Sequence, residues 1–486
     1  MPLEFSHLQF RHPVDRFEVI ETHISWVVLT GRFAYKIKKP VNLGFCDFTT
    51  LEKRRFYCEE ELRLNCRLAP KMYLEIVPIT GLPGTPVVEG PGPAIDYAVK
   101  MLEFPQDRLL SHLAEMGLLT EELVEDLART LGAFHRTIPI AGAQMRFGTP
   151  ETIGQAVQGA LRHLDASPLQ RWTEAEGRRL NSFFSDRKRD GFIREGHGDA
   201  HLGNMFEDRG RVVLFDAIEF NEDLRWIDMI SEIAFTVMDL EHRGRSDLAA
   251  LFLNSWLEGT GDYEGLKGLA YYKVYRALVR AKVAAIRLAQ EGISENERRK
   301  ARDEAGSYVA LALKDTERAR PRLSITHGLS GSGKTHETRR ILMKEGGIRL
   351  RTDVERKRLF GLKAEEKSPE TLKKEMYGIE ANDRVYGRLA DLSRLLLSEG
   401  YPVIVDGTFL KKAERRAFQE LARDLRADFE ILVFDASEDV LRGRILRRET
   451  QGEDASEAGL AVLKLQRSFL QPIQDDERPY VRAVLP

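Results

Sequence analysis

The chain has 486 residues, 42% hydrophobic and 31% charged, with a formal net charge of −2. These values suit a folded globular protein of two or three domains and exclude a disordered or globally basic chain. Charge is also balanced locally, with 31 Lys/Arg against 28 Asp/Glu from Pro321 onward and 43 against 48 before it, so no strong basic nucleic-acid patch is expected.

No run of 18 apolar residues exists, and the opening MPLEFSHLQFRHPVD lacks a basic stretch leading into an apolar one, so neither a membrane span nor a signal peptide is expected. Cys46, Cys58 and Cys66 include no C-x-x-C pair, which predicts a reducing, cytoplasmic setting without disulfides or structural zinc. Phe17–Ile20, Ser25–Leu29 and Phe33–Lys38 are short β-branched or aromatic runs between turn residues and predict strands. Thr50–Leu68 places Leu51, Phe56, Leu62, Leu64 and Leu68 at helical spacing and stops before Pro70. Gly81–Pro93, with four glycines and four prolines, reads as a hairpin-like loop, and Asp96–Phe104 as a further strand. Residues 1–105 are thus expected to form a small lobe. Helical spacing then dominates in Leu109–Leu131, Ile153–Ala166, Ala175–Phe184, Ile227–Met238 and Ala270–Gln290, interrupted by a loop with strand-like ends at Ile193–Asp216. The charged stretch Ser294–Arg320 predicts a surface helix that closes a mostly helical lobe, 106–318.

Within the interruption, residues 197–204 read His-Gly-Asp-Ala-His-Leu-Gly-Asn, and the apolar run from Val212 ends in Asp216, twelve residues past Asn204. Phosphoryl transfer from Mg-ATP needs a carboxylate to accept the acceptor's proton, oxygen ligands for Mg²⁺ and a cation on the phosphates. Asp199 is the candidate base, with Asn204 and Asp216 as metal ligands, in the order of a kinase catalytic loop. A lone Asp in a loop is usually a turn former, but three groups at these separations point to chemistry. His197 and His201 are expected to brace the loop, and Glu219 is an auxiliary metal or substrate candidate.

This pattern resembles the aminoglycoside phosphotransferase-like branch of the protein-kinase-like fold, over roughly residues 15–310. The resemblance implies an α+β, two-lobed domain in which Phe33–Lys38 carries the lysine that holds the α/β-phosphates. It also implies Glu61 as that lysine's ion-pair partner, with Glu59 and Glu60 competing, and Ala98–Phe104 as the hinge beside adenine. Asp228, in Arg225-Trp226-Ile227-Asp228, matches a helix-borne aspartate that steadies the catalytic loop. Lys36 and Lys38 share a strand face, so alternation does not separate them, and Lys36 is the preferred candidate. The segment Glu21–Ser25 over the phosphates has no glycine, and the Thr22 and Ser25 hydroxyls stand where glycine amides would.

From Arg322 onward strands and helices alternate, with strands expected at Leu323–Thr326, Ile348–Thr352, Val403–Asp406 and Ile431–Phe434, the rhythm of an α/β doubly wound parallel sheet. Gly328, Leu329, Ser330, Gly331, Ser332, Gly333, Lys334 and Thr335 match G-x-x-x-x-G-K-[ST] between a strand and a helix. Inward-pointing N–H groups and the helix N-terminus would cradle a polyphosphate, Lys334 would reach the β/γ-phosphates, and Thr335 would complete a Mg²⁺ shell. Asp353 and Arg356 form a D-x-x-R turn after a strand, read as general base and anion-steadying arginine; an N-cap is the competing role for Asp353. Asp406 ends an apolar strand as a Walker-B-like metal carboxylate. Arg442, Arg444, Arg447 and Arg448 lie on one helix, and Arg444 and Arg448 share a face from which a lid could touch the phosphates.

This portion, 319–486, resembles the P-loop kinases that include polynucleotide 5′-kinases, gluconate-type kinases and zeta-toxin-like enzymes; no N-K-x-D guanine signature is present. The whole chain resembles a bacterial fusion of an aminoglycoside phosphotransferase-like domain with a P-loop ATP-binding (AAA family ATPase) domain. The resemblance implies a bifunctional kinase using ATP and Mg²⁺ at two sites, with small-molecule or nucleic-acid hydroxyl acceptors. Two alternatives stand beside it: a nucleic-acid 5′-hydroxyl kinase regulated by the N-terminal domain, and a nucleotide-gated switch or toxin–antitoxin component. A polycationic aminoglycoside would favour a strongly acidic pocket, and Glu219, Glu222 and Asp223 are few for that purpose.

Overall fold

Two-residue alternation in Phe33–Lys38 sets the layout of the N-terminal sheet. In the computed structural model, Ala34 joins an apolar layer with Cys58 of the helix Leu51–Asn65, while Tyr35 and Ile37 join the layer on the opposite side with Leu8, Val77 and Ala98. Lys36 and Lys38 therefore share the helix-facing side. The structure describes residues 4–44, 46–162, 164–288, 292–317, 320–451 and 459–484, apart from the side chains of 370, 448–451 and 461. The chain divides into two units, Met1–Asp165 with Thr173–Asp239, and Ala166–Trp172 with Leu240–Pro486.

The first unit begins with an antiparallel six-stranded sheet in the spatial order Glu18–Glu21, Ser25–Leu29, Phe33–Lys38, Ala94–Leu102, Tyr73–Leu82, Thr85–Val88. Tyr73–Leu82 was not expected from the sequence, because Pro78 and Gly81 interrupt its β-branched pattern. The expected helix Thr50–Leu68 is Leu51–Asn65, capped by the Thr50 hydroxyl, which accepts from Lys53 N–H at 3.2 Å. The single helix expected over Leu109–Leu131 is two, Leu110–Glu115 and Glu121–Thr137, parted at Gly117 and restarted by a Thr120 cap. Helices Pro150–Leu161, Ser167–Arg179, Asn181–Arg189, Glu222–Arg225 and Met229–His242 follow along the chain, and the hairpin Met205–Asp208/Arg211–Leu214 comes directly after the catalytic-type loop.

In the second unit five parallel strands run in the order Ile348–Arg351, Val403–Asp406, Arg322–His327, Asp428–Val433, Val481–Ala483. Parallel strands are buried on both faces, and residues 403–405 are accordingly an unbroken apolar run, whereas Arg322–His327 and Ile348–Arg351 alternate apolar with polar residues. The fifth strand, three residues with an arginine at its centre, has no such run and was not expected. From Leu240 the helices Ser246–Thr260, Leu266–Leu288 and Glu295–Asp315 belong to this same unit. Asn254, on the first of them, donates to Gly347 O (3.0 Å) and accepts from Arg349 N–H (2.7 Å), so its carboxamide closes the exposed edge of Ile348–Arg351 as a neighbouring strand would.

Buried Arg415 pairs with Glu477 at 2.7 and 2.8 Å and donates to the carbonyls of Phe409, Leu410, Gln471 and Pro472. Glu477→Ala should cost about 3–5 kcal/mol in urea denaturation, because a buried guanidinium loses its counter-ion. Glu420→Ala, which removes the partner of exposed Arg416, should leave the midpoint unchanged.

Candidate active sites

In the first unit the two lysines meet one carboxylate. Lys36 Nζ lies 2.8 Å from Glu61 Oε1 and also pairs with Asp216, while Lys38 Nζ lies 2.6 Å from Glu61 Oε2 and also pairs with Glu219. Burial alone would raise the Glu61 pKa, yet the two ammonium groups outweigh it and hold it down to about 2. Burial likewise opposes the charge on Lys36, and Asp216 and Glu61 overcome that to hold it well above its ordinary value. Glu219 is pushed up, chiefly by burial.

Asp216 adopts a left-handed backbone, φ +64°, a conformation that costs a non-glycine residue on the order of 1 kcal/mol. Two bonds hold it there: Asp216 N–H donates to Tyr73 Oη at 3.2 Å and Ala217 N–H to Asn65 Oδ1 at 2.9 Å. The carboxylate remains 42% exposed and open to a ligand. Neither Tyr73 nor Asn65 was singled out in the sequence. Asn65 had a signal, since it follows Glu61 by one helical turn on the same face.

Asp199 and Asn204 are brought together: Asn204 Nδ2 donates to Asp199 Oδ2 at 2.9 Å and to Asp199 O at 3.1 Å, and Phe215 N–H donates to Asn204 O at 3.0 Å. His201 Nε2 lies 3.3 Å from Asp199 Oδ2. His197 is buried, which pushes its pKa below the ordinary value and favours the neutral ring. As such it donates from Nε2 to Phe215 O (2.9 Å) and accepts at Nδ1 from Asp199 N–H (3.3 Å), joining the loop to the segment that leads into Asp216.

The helix-borne carboxylate that steadies this loop is not Asp228. That residue ends the short strand Trp226–Asp228, off the helical face, and binds Arg187 at 2.6 and 2.9 Å. Glu232 takes the role instead: its Oε1 accepts His197 N–H (2.5 Å) and Gly198 N–H (2.8 Å), and its Oε2 meets His135 Nε2 at 2.7 Å. Further along Met229–His242, Thr236 donates to Ala200 O (2.7 Å) and Asp239 accepts Leu202 N–H (2.8 Å). Residues 232, 236 and 239 lie on one face, a spacing legible in the sequence. At the small lobe's tip, the Thr22 hydroxyl is used within its own turn, donating to Ser25 O at 3.0 Å.

In the second unit the phosphate-loop motif lies between Arg322–His327 and the helix Lys334–Glu345. Gly331 (φ +86°) and Gly333 (φ +93°) both have a left-handed backbone that favours glycine, and at Gly331 a Cβ would also approach the Leu441 backbone carbonyl to 2.9 Å. Lys334 Nζ lies 2.9 Å from Gly328 O and 2.7 Å from Leu329 O, and Ser330 N–H donates to Gln466 Oε1 at 2.9 Å. Arg444 reaches Gly331 O at 3.4 Å, whereas the Arg448 side chain lies outside the described residues.

Asp406 stands between the other two motifs. Thr338, one turn past Thr335, donates to its Oδ2 at 3.4 Å, and Thr352, which precedes Asp353, donates to its carbonyl at 2.6 Å. Asp353 occupies the first turn of Thr352–Leu359, half-buried. Arg356 is buried and donates to Met376 O (2.8 Å) and Asn382 Oδ1 (3.1 Å), contacts that tie it to residues 376–382.

Carboxylate oxygens with a lysine in the first unit, and hydroxyl and carboxylate oxygens with a lysine and a glycine cradle in the second, suit Mg²⁺ with a polyphosphate. Among the described residues no three His, Cys, Asp or Glu side chains form a ready metal cage, and a cation that arrives on phosphates needs only one or two protein ligands.

Comparison with known proteins agrees with this division. The chain matches the phosphotransferase enzyme family over residues 105–269 and the AAA domain over residues 323–473. It is 30% identical over 474 residues to an uncharacterized protein of Mycobacterium tuberculosis, covering 93% of this chain and 91% of that one, and equally to one of Mycobacterium bovis. The chain belongs to this family of fusions between a phosphotransferase domain and a P-loop kinase-like AAA domain. Similar solved structures include the amicoumacin kinase hAmiN in complex with AMP-PNP, Ca²⁺ and Ami (10% identity, TM-score 0.42, 63% of this chain and 91% of that chain). A gluconokinase from Sinorhizobium meliloti shows 20% identity and a TM-score of 0.23 over 34% of this chain and 83% of its own. The architecture is a protein-kinase-like α+β domain followed by an α/β P-loop domain, and the domain content is that of a phosphotransferase. Among the described residues no helix is long and apolar enough to cross a membrane.

Because Glu232 is held down to about 2 against an ordinary 4.5, its charge stabilises the fold above pH 4.5, and that contribution is lost as pH falls toward 2. Glu232→Gln should flatten the stability profile across that window by up to roughly 3 kcal/mol, read by denaturant unfolding at stepped pH.

Proposed function

We propose that the chain is a bifunctional ATP-dependent phosphotransferase, with one Mg-ATP site in each unit and a hydroxyl acceptor at each. The observation that carries the reading is the convergence of Lys36, Glu61 and Asp216 in one unit and the glycine cradle with Lys334 in the other. In the first site, Asp199 accepts the acceptor's proton, Asn204 and Asp216 hold the metal, and Lys36, oriented by Glu61, meets the phosphates. In the second, Lys334 and the loop amides hold the nucleotide, Thr335 and Asp406 serve the metal, and Asp353 is the base. Arg444 contributes charge beside Gly331, while Arg356, whose donors are taken up by Met376 O and Asn382 Oδ1, holds residues 376–382 to the helix of Asp353.

Bound Mg²⁺ would supply neutralisation of the phosphate charge. At each site the acceptor oxygen bonds to the γ-phosphorus as the bridging bond to ADP breaks, and the hydroxyl proton passes to the aspartate. Three unpaired cysteines suit a reducing, cytoplasmic setting.

Titration calorimetry with Mg-ATP should give two equivalents per chain, one surviving Asp216→Ala, one surviving Lys334→Ala, and none surviving both. A single equivalent in the unaltered chain would overturn the proposal. Asp199→Asn should retain binding yet lose about 10²–10⁴-fold of the γ-phosphate transfer assigned to the first site, measured with radiolabelled ATP and a metabolite pool.

A further inference from the structure

Glu258 lies outside every motif considered so far, although the phosphotransferase family match extends over it. It sits on Ser246–Thr260, one turn beyond Asn254, in the same unit as the phosphate loop. Its two carboxylate oxygens are used separately: Oε1 pairs with Arg349 at 2.8 Å and Oε2 with Arg351 at 3.2 Å. Both arginines belong to the edge strand Ile348–Arg351. Each continues to a different part of the proposed site.

Arg349 Nη1 donates to the backbone carbonyl of Thr335 at 3.1 Å. Its side chain is only 8% exposed, so the bond is made away from bulk water. Arg351 is the N-cap residue of Thr352–Leu359, the helix that carries Asp353 in its first turn. One side chain therefore ties the phosphate-loop threonine and the start of the base-bearing helix to a common anchor. Arg358 Nη2, on that same helix, reinforces the attachment by donating to Glu258 O at 2.6 Å.

The charge balance is unforgiving. Two guanidinium groups meet a single carboxylate, and burial of Glu258 is outweighed by Arg349 and Arg351, which hold its pKa below the ordinary value. Without that carboxylate the arginines would repel each other across the strand, and Arg349 would be free to leave Thr335.

We propose that Glu258 is a positioning residue of the P-loop site, setting Thr335 through Arg349 and the Asp353 helix through Arg351. The inference rests on the assignment of Mg-ATP to that loop. Thr335 is the proposed metal ligand, so displacement of its backbone should weaken the metal-dependent part of nucleotide binding more than the metal-independent part. Groups that orient metal ligands commonly contribute about 10–100-fold in affinity.

The test uses the full-length chain carrying Asp216→Ala, so that calorimetry reads the P-loop site alone. ATP is titrated with Mg²⁺ and again with EDTA. Glu258→Gln should weaken Mg-ATP binding at least about tenfold while metal-free ATP changes by less than about twofold, with the thermal midpoint retained. Arg349→Lys, which keeps charge but loses the fork geometry, should reproduce the selective loss. Equal weakening of both forms, or no change in either, overturns the role of Glu258. If Lys334→Ala, added to the same Asp216→Ala chain, leaves Mg-ATP binding unchanged, the assignment of ATP to this loop is overturned instead. Should Glu258→Gln fail to fold, the Arg349→Lys titration decides the matter alone.

Discussion

A carboxylate without access to water cannot remain charged unless cations meet it, and Glu61 is met by two. Each of its oxygens takes one ammonium, and each ammonium takes a second carboxylate, Asp216 or Glu219. The strand Phe33–Lys38, the helix Leu51–Asn65 and the segment 216–219 are thereby fixed against one another by charge compensation. Two ammonium groups face three carboxylates, so removal of either lysine leaves buried carboxylate charge uncompensated, and the cluster ties correct folding of this unit to correct arrangement of its candidate phosphate and metal groups. The half-exposed member, Asp216, is also the strained one, held by Tyr73 and Asn65 in a backbone conformation that few non-glycine residues adopt.

The second unit reaches the same end by different means. Its candidate anion cradle is backbone, shaped by Gly328 and Gly331, where a Cβ would meet backbone carbonyls, and the helix behind it adds the positive end of its dipole. Side chains serve mainly to hold that backbone. Gln466 takes one loop N–H, Arg349 takes the Thr335 carbonyl, and Thr338 joins the loop helix to Asp406.

Much of this was legible in the residues, and the exceptions have physical reasons. The phosphate loop, the catalytic-type loop and most strands announce themselves through glycine spacing, the spacing of Asp199, Asn204 and Asp216, and β-branched runs. Alternation could not choose between Lys36 and Lys38 because the question has no single answer at Glu61: one lysine binds each oxygen. Tyr73–Leu82 was hidden by Pro78, and Val481–Ala483 by its brevity. Asp228 resembles the brace of the catalytic-type loop in sequence because the strand Trp226–Asp228 runs straight into a helix, and the fold instead turns Glu232 of that helix toward the loop. The partners of Thr335 and the loop amides come from residues about 14 and 136 positions away, beyond the reach of any local pattern.

Asn254 imitates a strand. Its carboxamide offers the sheet margin the same donor and acceptor that another peptide would, and so ends the ladder at Ile348–Arg351. A gene split at the charged stretch near residue 300 would leave this helix on the wrong fragment, and the bared margin would be free to recruit any extended chain nearby. The helix Ser246–Thr260 thus serves the parallel sheet as its border, although the two are about 90 residues apart in the chain.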